Sequence, residues 1–342
     1  MVIRALLVAA ASTIACAHAT PASTAGRRMV LYAGGGAGGD GGAATQARLE
    51  RPFAMARDPV SGAHYIAEFT ANRIRKVDGQ GVISTVVGPG APGEAAAAGL
   101  NEPHHLAFPP GGGDLFIGDT FNRRLLRVDL RAGSVRPVAA GAGLGLTFNI
   151  AFDRKGERLF VTDNKQVRAI ELATMKISVF AGDGTQGVPT DGALAAGAPL
   201  FDPRAIDVDG HGNVYILERN GHALRVVDPA GRIHTVAGTG QKGDSGDGGD
   251  PRQATFNGPK HVAVDLDDNV LVADTENHVV RKILVREHRI ERIAGTGRAS
   301  AAEALPGSPT AISLARPHGV FVDPDGAILI ADSWNDRVLR IE

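Results

Sequence analysis

The sequence predicts an all-β fold, a six-bladed β-propeller, from three observations. One phrase recurs along the chain, the apolar residues within each copy alternate with a period of two, and the last copy lacks a strand that the start of the chain supplies. The phrase is plainest at 115–128, 270–283 and 328–341, where a run ending in Gly-Asp or Ala-Asp leads through an Asn-bearing turn into an Arg-bearing run. Periodicity on this scale marks a repeat array and decides the architecture before any single residue is weighed.

Six copies are present. Pro52, Pro103, Pro203, Pro259 and Pro317 head five of them, and the third, Thr147 to Asp153, has lost the proline. The equivalent positions 52, 103, 147, 203, 259 and 317 lie 44 to 58 residues apart, so loops vary while strands hold. Alternation such as Val262/Val264 and Val270/Val272, with Gly, Asp and Pro between short runs, reads as strands joined by turns. Each copy supplies about four strands, and four-stranded units repeated radially make a propeller with only short, protected edges.

The fourth strands settle the closure. Copies one to five carry one each, at 83–88, 135–141, 177–182, 233–238 and 290–295, whereas copy six reaches Glu342 without one. The same pattern stands ahead of the first copy at Met29 to Gly34. The N-terminal strand is therefore expected to complete the last blade and close the ring.

A propeller of this length needs no second domain, so the expected organisation is a signal segment at 1–19, a short leader at 20–28 and the propeller at 29–342. Arg4, the apolar run Ala5 to Ala15 and the small-x-small site at Ala17 to Ala19 read as a secretory signal, too short to span a bilayer. The expected location is secreted or periplasmic, with no transmembrane segment. Cys16, the one cysteine, lies beside the site. Thr13 to Ala15 lacks the leucine that lipoprotein signals favour, so cleavage after Ala19 is preferred over a lipid anchor at Cys16. The net charge of −1 argues against a nucleic-acid partner, because phosphate neutralisation needs a dense basic surface.

The Pro-led strand, the Ala-Asp-x-x-Asn-x-Arg turn and the Ala-Gly strand ending together resemble the NHL-repeat β-propellers of the secreted bacterial type. The glycine-aspartate loops at 33–42 and 237–249 are similar to loops of that group. The resemblance covers about 29–342 and implies the fold. It leaves function open, since such propellers include protein-binding, RNA-binding and enzymatic members.

Asp119, Asn122 and Arg124, with Asp332, Asn335 and Arg337 and the partial set Asp274 and Asn277, occupy the hairpin between second and third strands. Short acidic and amide side chains bond nearby backbone in such turns, so these read as structural. Glu68 and Glu218 replace the Asp in two copies, and the third copy lacks the Arg after Asp163. Asp40, Asp191, Asp247 and Asp250 in the glycine-rich loops offer oxygen ligands for calcium, but their spacing fits no defined motif and turn geometry accounts for them better.

The residue after each proline should sit at the mouth of the central channel: Phe53, His104, Phe148, Arg204, Lys260 and His318, with His105 and His261 one residue further on. The more distant similarity to peptide-amidating lyases implies Pro-His phrases from three alternate blades holding zinc. Here His104 and His318 fill two of those positions, Arg204 occupies the third, and Gly319 stands where an acid is expected, so the pattern is broken unless His105 or His261 substitutes. Similarity to gluconolactonase-like propellers implies a divalent cation held by Glu, Asn and Asp, for which Glu68 and Asn149 are the nearest residues. No cofactor is expected, with zinc or calcium as the alternative; water or a small anion suits the mouth better.

Strand direction places the inter-blade loops, the second-to-third-strand hairpins and the start of each inner strand on one face. Phe69, Phe121 and Trp334 fall on hairpin tips of blades one, two and six, which are neighbours once the ring closes. In a chain only 5% aromatic they suggest a recognition patch. The sequence reading is a non-catalytic propeller binding a protein, peptide or glycan on this face, with a metal-dependent lyase or lactonase at the channel mouth as the alternative.

Overall fold

The computed structural model describes residues 26–141, 143–163, 165–301 and 303–342. The expected signal at 1–19, Cys16 and most of the leader lie outside the described residues.

Among the described residues, twenty-four strands form six four-stranded antiparallel sheets. Blade one comprises Pro52–Arg57, His64–Glu68, Arg73–Val77 and Ile83–Val87. The inner strands of blades two to six are His105–Ala107, Thr147–Phe152, Pro203–Val208, His261–Val264 and Gly319–Val322. Each inner strand neighbours the next, and blade six returns to blade one. Blade six is completed by Met29–Gly34, which pairs with Arg337–Ile341 in the register Met29 to Ile341. Backbone bonds between Arg28 and Glu342 of 3.0 and 2.9 Å continue that ladder to the chain's last residue.

Alternation along each inner strand serves two interfaces. Ala54 and Ala56 pack with Leu106 and Ile117 of blade two. Met55, between them in sequence, packs with Leu329 and Ala331 of blade six. Each blade thus buries both faces against its neighbours, which is why second strands such as Val270–Asp274 and Ile328–Asp332 are buried along their whole length.

The repeat phrase is a staple between the hairpin and the incoming chain. The carboxylates of Glu68, Asp119, Glu218, Asp274 and Asp332 have no exposed surface. Each accepts from the backbone N–H two residues ahead of its own proline: Glu50, Asn101, Phe201, Asn257 and Ala315, at 2.6 to 2.8 Å. Glutamate at two of these positions reaches the same amide. The Asn of the turn then donates both to the acid and to a carbonyl of the preceding loop, as Asn122 does to Asp119 and Gly99. In these five blades the acid and the amide two places ahead of the proline are the two ends of one contact.

The glycine-aspartate loops are fastened the same way. Asp40 accepts from Arg75 at 2.7 Å and from the Thr85 N–H at 2.9 Å, Asp191 from Thr235 and Arg252, and Asp247 from Arg281. Asp250 caps the short turn Pro251–Gln253 by accepting from the Arg252 N–H. Arg75 and Arg281 are fully buried, so these carboxylates neutralise blade cations.

Candidate functional site

Inner strands turn their unpaired backbone edges toward the central channel, and an unpaired buried amide must find a partner. Polar residues two places after the proline position supply it to the next blade. His105 Nδ1 accepts from the Ile150 N–H at 3.4 Å, Asn149 Oδ1 from Ile206 at 3.2 Å, and His261 Nδ1 from Val320 at 3.4 Å. Further down, Asp207 accepts from Val264 at 2.7 Å. His105 and His261 come from blades two and five, which face each other across the ring, and their rings approach to 5.0 Å. They meet in the middle of the channel.

This changes the expected site in one respect. Phe53, His104, Phe148, Arg204, Lys260 and His318 do converge at the mouth, with His261 at their floor, around a cavity of only about 10 Å³. His105 lies deeper, in the wall of a larger cavity of about 260 Å³ that opens on the opposite face beside Arg57, Asp153, Arg154 and Asp207. Glu68, a lactonase-like candidate, is not in the channel; it pairs with Arg73 and Arg75 in its own blade.

Around the mouth the aromatics form a continuous arc. Phe69 stacks flat on Phe53 at 4.1 Å, Phe53 on His318 at 4.1 Å, and His318 on Trp334 at 4.8 Å. His104 joins edge-on to Phe53, Phe69 and Phe148, and Phe121 closes the other end at 6.1 Å. Phe121 is 48% exposed, Phe69 and Trp334 are half-buried, and Phe53, His104 and His318 are buried. The arc therefore has a packed base and a partly open crest. Arg51 and Arg316 lie over the Trp334 ring at 4.6 and 4.5 Å.

The charged part of the mouth is cationic. Lys260 donates to Glu276 at 2.7 Å, and Arg316 shares that carboxylate. Burial outweighs the pull of Glu276 and pushes Lys260 down to about 8. Arg204 is 5% exposed with its guanidinium 3.7 Å over Phe148, and burial reinforced by Arg219 pushes it down to about 9. The neighbouring acid, Asp202, is engaged by Arg219 at 2.6 Å. A desolvated cation–π contact is worth on the order of 2 kcal/mol, whereas an ion's burial costs several kcal/mol, so Phe148 does not neutralise Arg204.

Burial, with Arg204 or Lys260 as the second cause, holds His104 and His318 well below the usual histidine value. Each Nδ1–H donates to the carbonyl two residues earlier, Glu102 or Arg316, at 2.9 Å. This donor set does not fit a divalent cation, because two neutral imidazoles share their cavity with a buried guanidinium. Among the described residues, the group of three potential ligands whose atoms lie within 4.8 Å of one another is Asp209, His211 and Asp268. It belongs to hairpins of the opposite face, where Asp209 already accepts from the His211 and Asn213 amides.

A family model of the NHL repeat matches residues 314–341, and one of the teneurin NHL domain matches 89–245. The chain is an NHL-repeat propeller. It is 28% identical over 298 residues to teneurin-1 of Homo sapiens, an alignment spanning 76% of this chain and 10% of that protein. NHL repeat-containing protein 2 of Bos taurus is 34% identical over 101 residues, covering 29% of this chain and 14% of the relative. The NHL chain thus spans about a tenth of the length of the teneurins it matches. Among solved structures it superposes on an auxiliary nutrient binding protein from Bacteroides thetaiotaomicron with a TM-score of 0.71, at 16% identity over 92% of this chain and 76% of that one. At that identity the likeness is one of fold.

Two features of the site were not readable in advance. The amide-capping role of His105, Asn149 and His261 depends on the edge of the following blade, and the lower cavity depends on how the inner-strand ends splay. The recurrence of a polar residue at the second place after the proline position in three copies, His105, Asn149 and His261, is the signal from which the capping role could have been found.

Proposed function

We propose that this NHL propeller is a secreted or periplasmic binding protein that takes a protein, peptide or glycan on the face carrying the channel mouth, without catalysing a reaction there. The observation that carries the reading is the arc from Phe121 to Trp334, whose flat rings are fixed by stacking on a buried aromatic base and are partly open above. Rigid aromatic surface binds with little loss of side-chain entropy, which is why such residues dominate recognition hot spots. The solved structure described as an auxiliary nutrient binding protein lends the propeller architecture a binding role, and no described helix is long and apolar enough to cross a membrane.

The test is a glycan array and a random peptide library probed with the full chain, followed by titration of each hit with the Phe121→Ala and Trp334→Ala variants. Both variants should keep the wild-type circular dichroism and weaken a genuine hit about tenfold or more, the usual loss for an aromatic hot spot. Hits unaffected by both substitutions would move the binding face elsewhere.

A further inference from the structure

Two buried donors on residues lining the small cavity of the mouth have no partner among the described residues. Arg204 Nη1 and His261 Nε2 make no hydrogen bond, and both residues line the same small cavity. His261 Nδ1 accepts from the Val320 N–H, so the ring proton sits on Nε2 and that nitrogen is a donor. Among the described residues no carboxylate pairs with Arg204, and residues 1–25, 142, 164 and 302 contain no Asp or Glu to supply one.

We infer that the mouth receives one carboxylate oxygen from outside the chain, held by Arg204 Nη1 and His261 Nε2, so that the ligand of this face is an organic acid. This rests on the mouth face being the binding face. The size of the cavity sets the chemistry: about 10 Å³ is room for a single probe sphere, which admits one oxygen atom and not a whole tetrahedral anion. A water molecule would satisfy both donors yet add no charge against the guanidinium, whose neighbouring acid Asp202 is already held by Arg219, whereas a carboxylate meets donors and charge together. Lys260 is already engaged by Glu276 and Arg219 by Asp202, so Arg204 is the cation of the mouth without an ion-pair partner among the described residues. The remainder of the acid would emerge among Phe53, His104, Phe148 and His318, at the base of the aromatic arc.

The experiment uses sodium formate on the full chain dialysed into low salt, with sodium perchlorate as the ionic-strength control. The readouts are the thermal midpoint and the emission of Trp334, the one tryptophan, which stacks on His318. Formate should raise the midpoint saturably, and Arg204→Met should weaken its affinity about tenfold or more, as loss of a charged hydrogen bond does. In formate-free buffer Arg204→Met should be at least as stable as wild type, because the burial cost of the charge outweighs its contact with Phe148 and the field of Asp202, which offset it only in part. A response to formate no different from that to perchlorate would mean water only and overturn the inference. So would an Arg204→Met protein that is less stable in formate-free buffer, which would show an internal partner. Galacturonate competing with formate where galactose does not assigns the acid to a larger ligand on the arc; formate binding alone assigns it to a free small carboxylate. Formate binding is read without a face ligand, so hits that ignore Phe121→Ala and Trp334→Ala would sink the face reading and leave the anion site standing.

Discussion

Asp332 has no exposed surface, and its carboxylate accepts from the Ala315 N–H at 2.6 Å, Asn335 Nδ2 at 2.8 Å and Arg337 Nε at 2.7 Å. Three donors on one buried acid make it the joint between the hairpin and the chain arriving from blade five. Replacing it with alanine strands Arg337, itself 7% exposed, beside an unmet amide. Removing one partner of a buried pair costs about 3–5 kcal/mol, so Asp332→Ala should lose that much in urea unfolding while a surface change such as Asp325→Ala stays near zero. A loss below about 1 kcal/mol, the scale of a surface pair, would reduce the repeat's acid to decoration. Arg204 is the opposite case. It is as buried as Arg337 but makes no ion pair, its neighbouring acid Asp202 being held by Arg219, which is why its removal should not destabilise.

At the scale of elements, the strand Met29–Gly34 decides whether the ring is closed. It covers the edge of Arg337–Ile341 and buries Met29 and Ala33 completely. In an open repeat array the end units fray separately, but a ring has no ends, so losing one strand should weaken every blade interface at once. A chain beginning at residue 28 should unfold like the full chain. One beginning at residue 35 should lose far-UV dichroism and Trp334 signal together at a much lower midpoint; loss of one strand's dichroism at an unchanged midpoint would show independent blades. This strand was legible in the sequence because strand pattern and strand count are local properties. The mouth ring of Phe53, His104, Phe148, Arg204, Lys260 and His318 was legible too, since the repeat fixes equivalent positions. The flat stack of Phe69 on Phe53, the pairing of Asp40 with Arg75 and the depth of His105 were not, because each depends on side-chain reach between segments that one-dimensional spacing does not measure.

The whole molecule is a ring whose channel is closed at mid-depth by His105 from blade two and His261 from blade five. Both must stay neutral to accept the amides of Ile150 and Val320. Burial pushes His261 down to about 4 and holds His105 well below its usual value, with His261 as the second cause for His105. The unfolded chain takes up these protons near the ordinary histidine value of about 6.5, before the native state does. Between about pH 6.5 and 4 the unfolded state therefore binds more protons, and the stability contributed by the pair is present above that window and lost as pH falls through it. Buried carboxylates titrate against this trend: Asp207 is pushed up to about 6 and Asp274 to about 7 by burial. The prediction is accordingly a difference between two proteins. Asn149 shows that asparagine caps the same channel amide one blade over, so His105→Asn with His261→Asn should keep the caps while removing the proton linkage. The urea midpoint of wild type should fall more steeply than that of the double variant from pH 6.5 to 4, with the two converging in slope above pH 7. Parallel curves across the acid range would show that the imidazoles are protonated in the native ring, and the mid-channel closure would then have to be held by something other than their amide bonds.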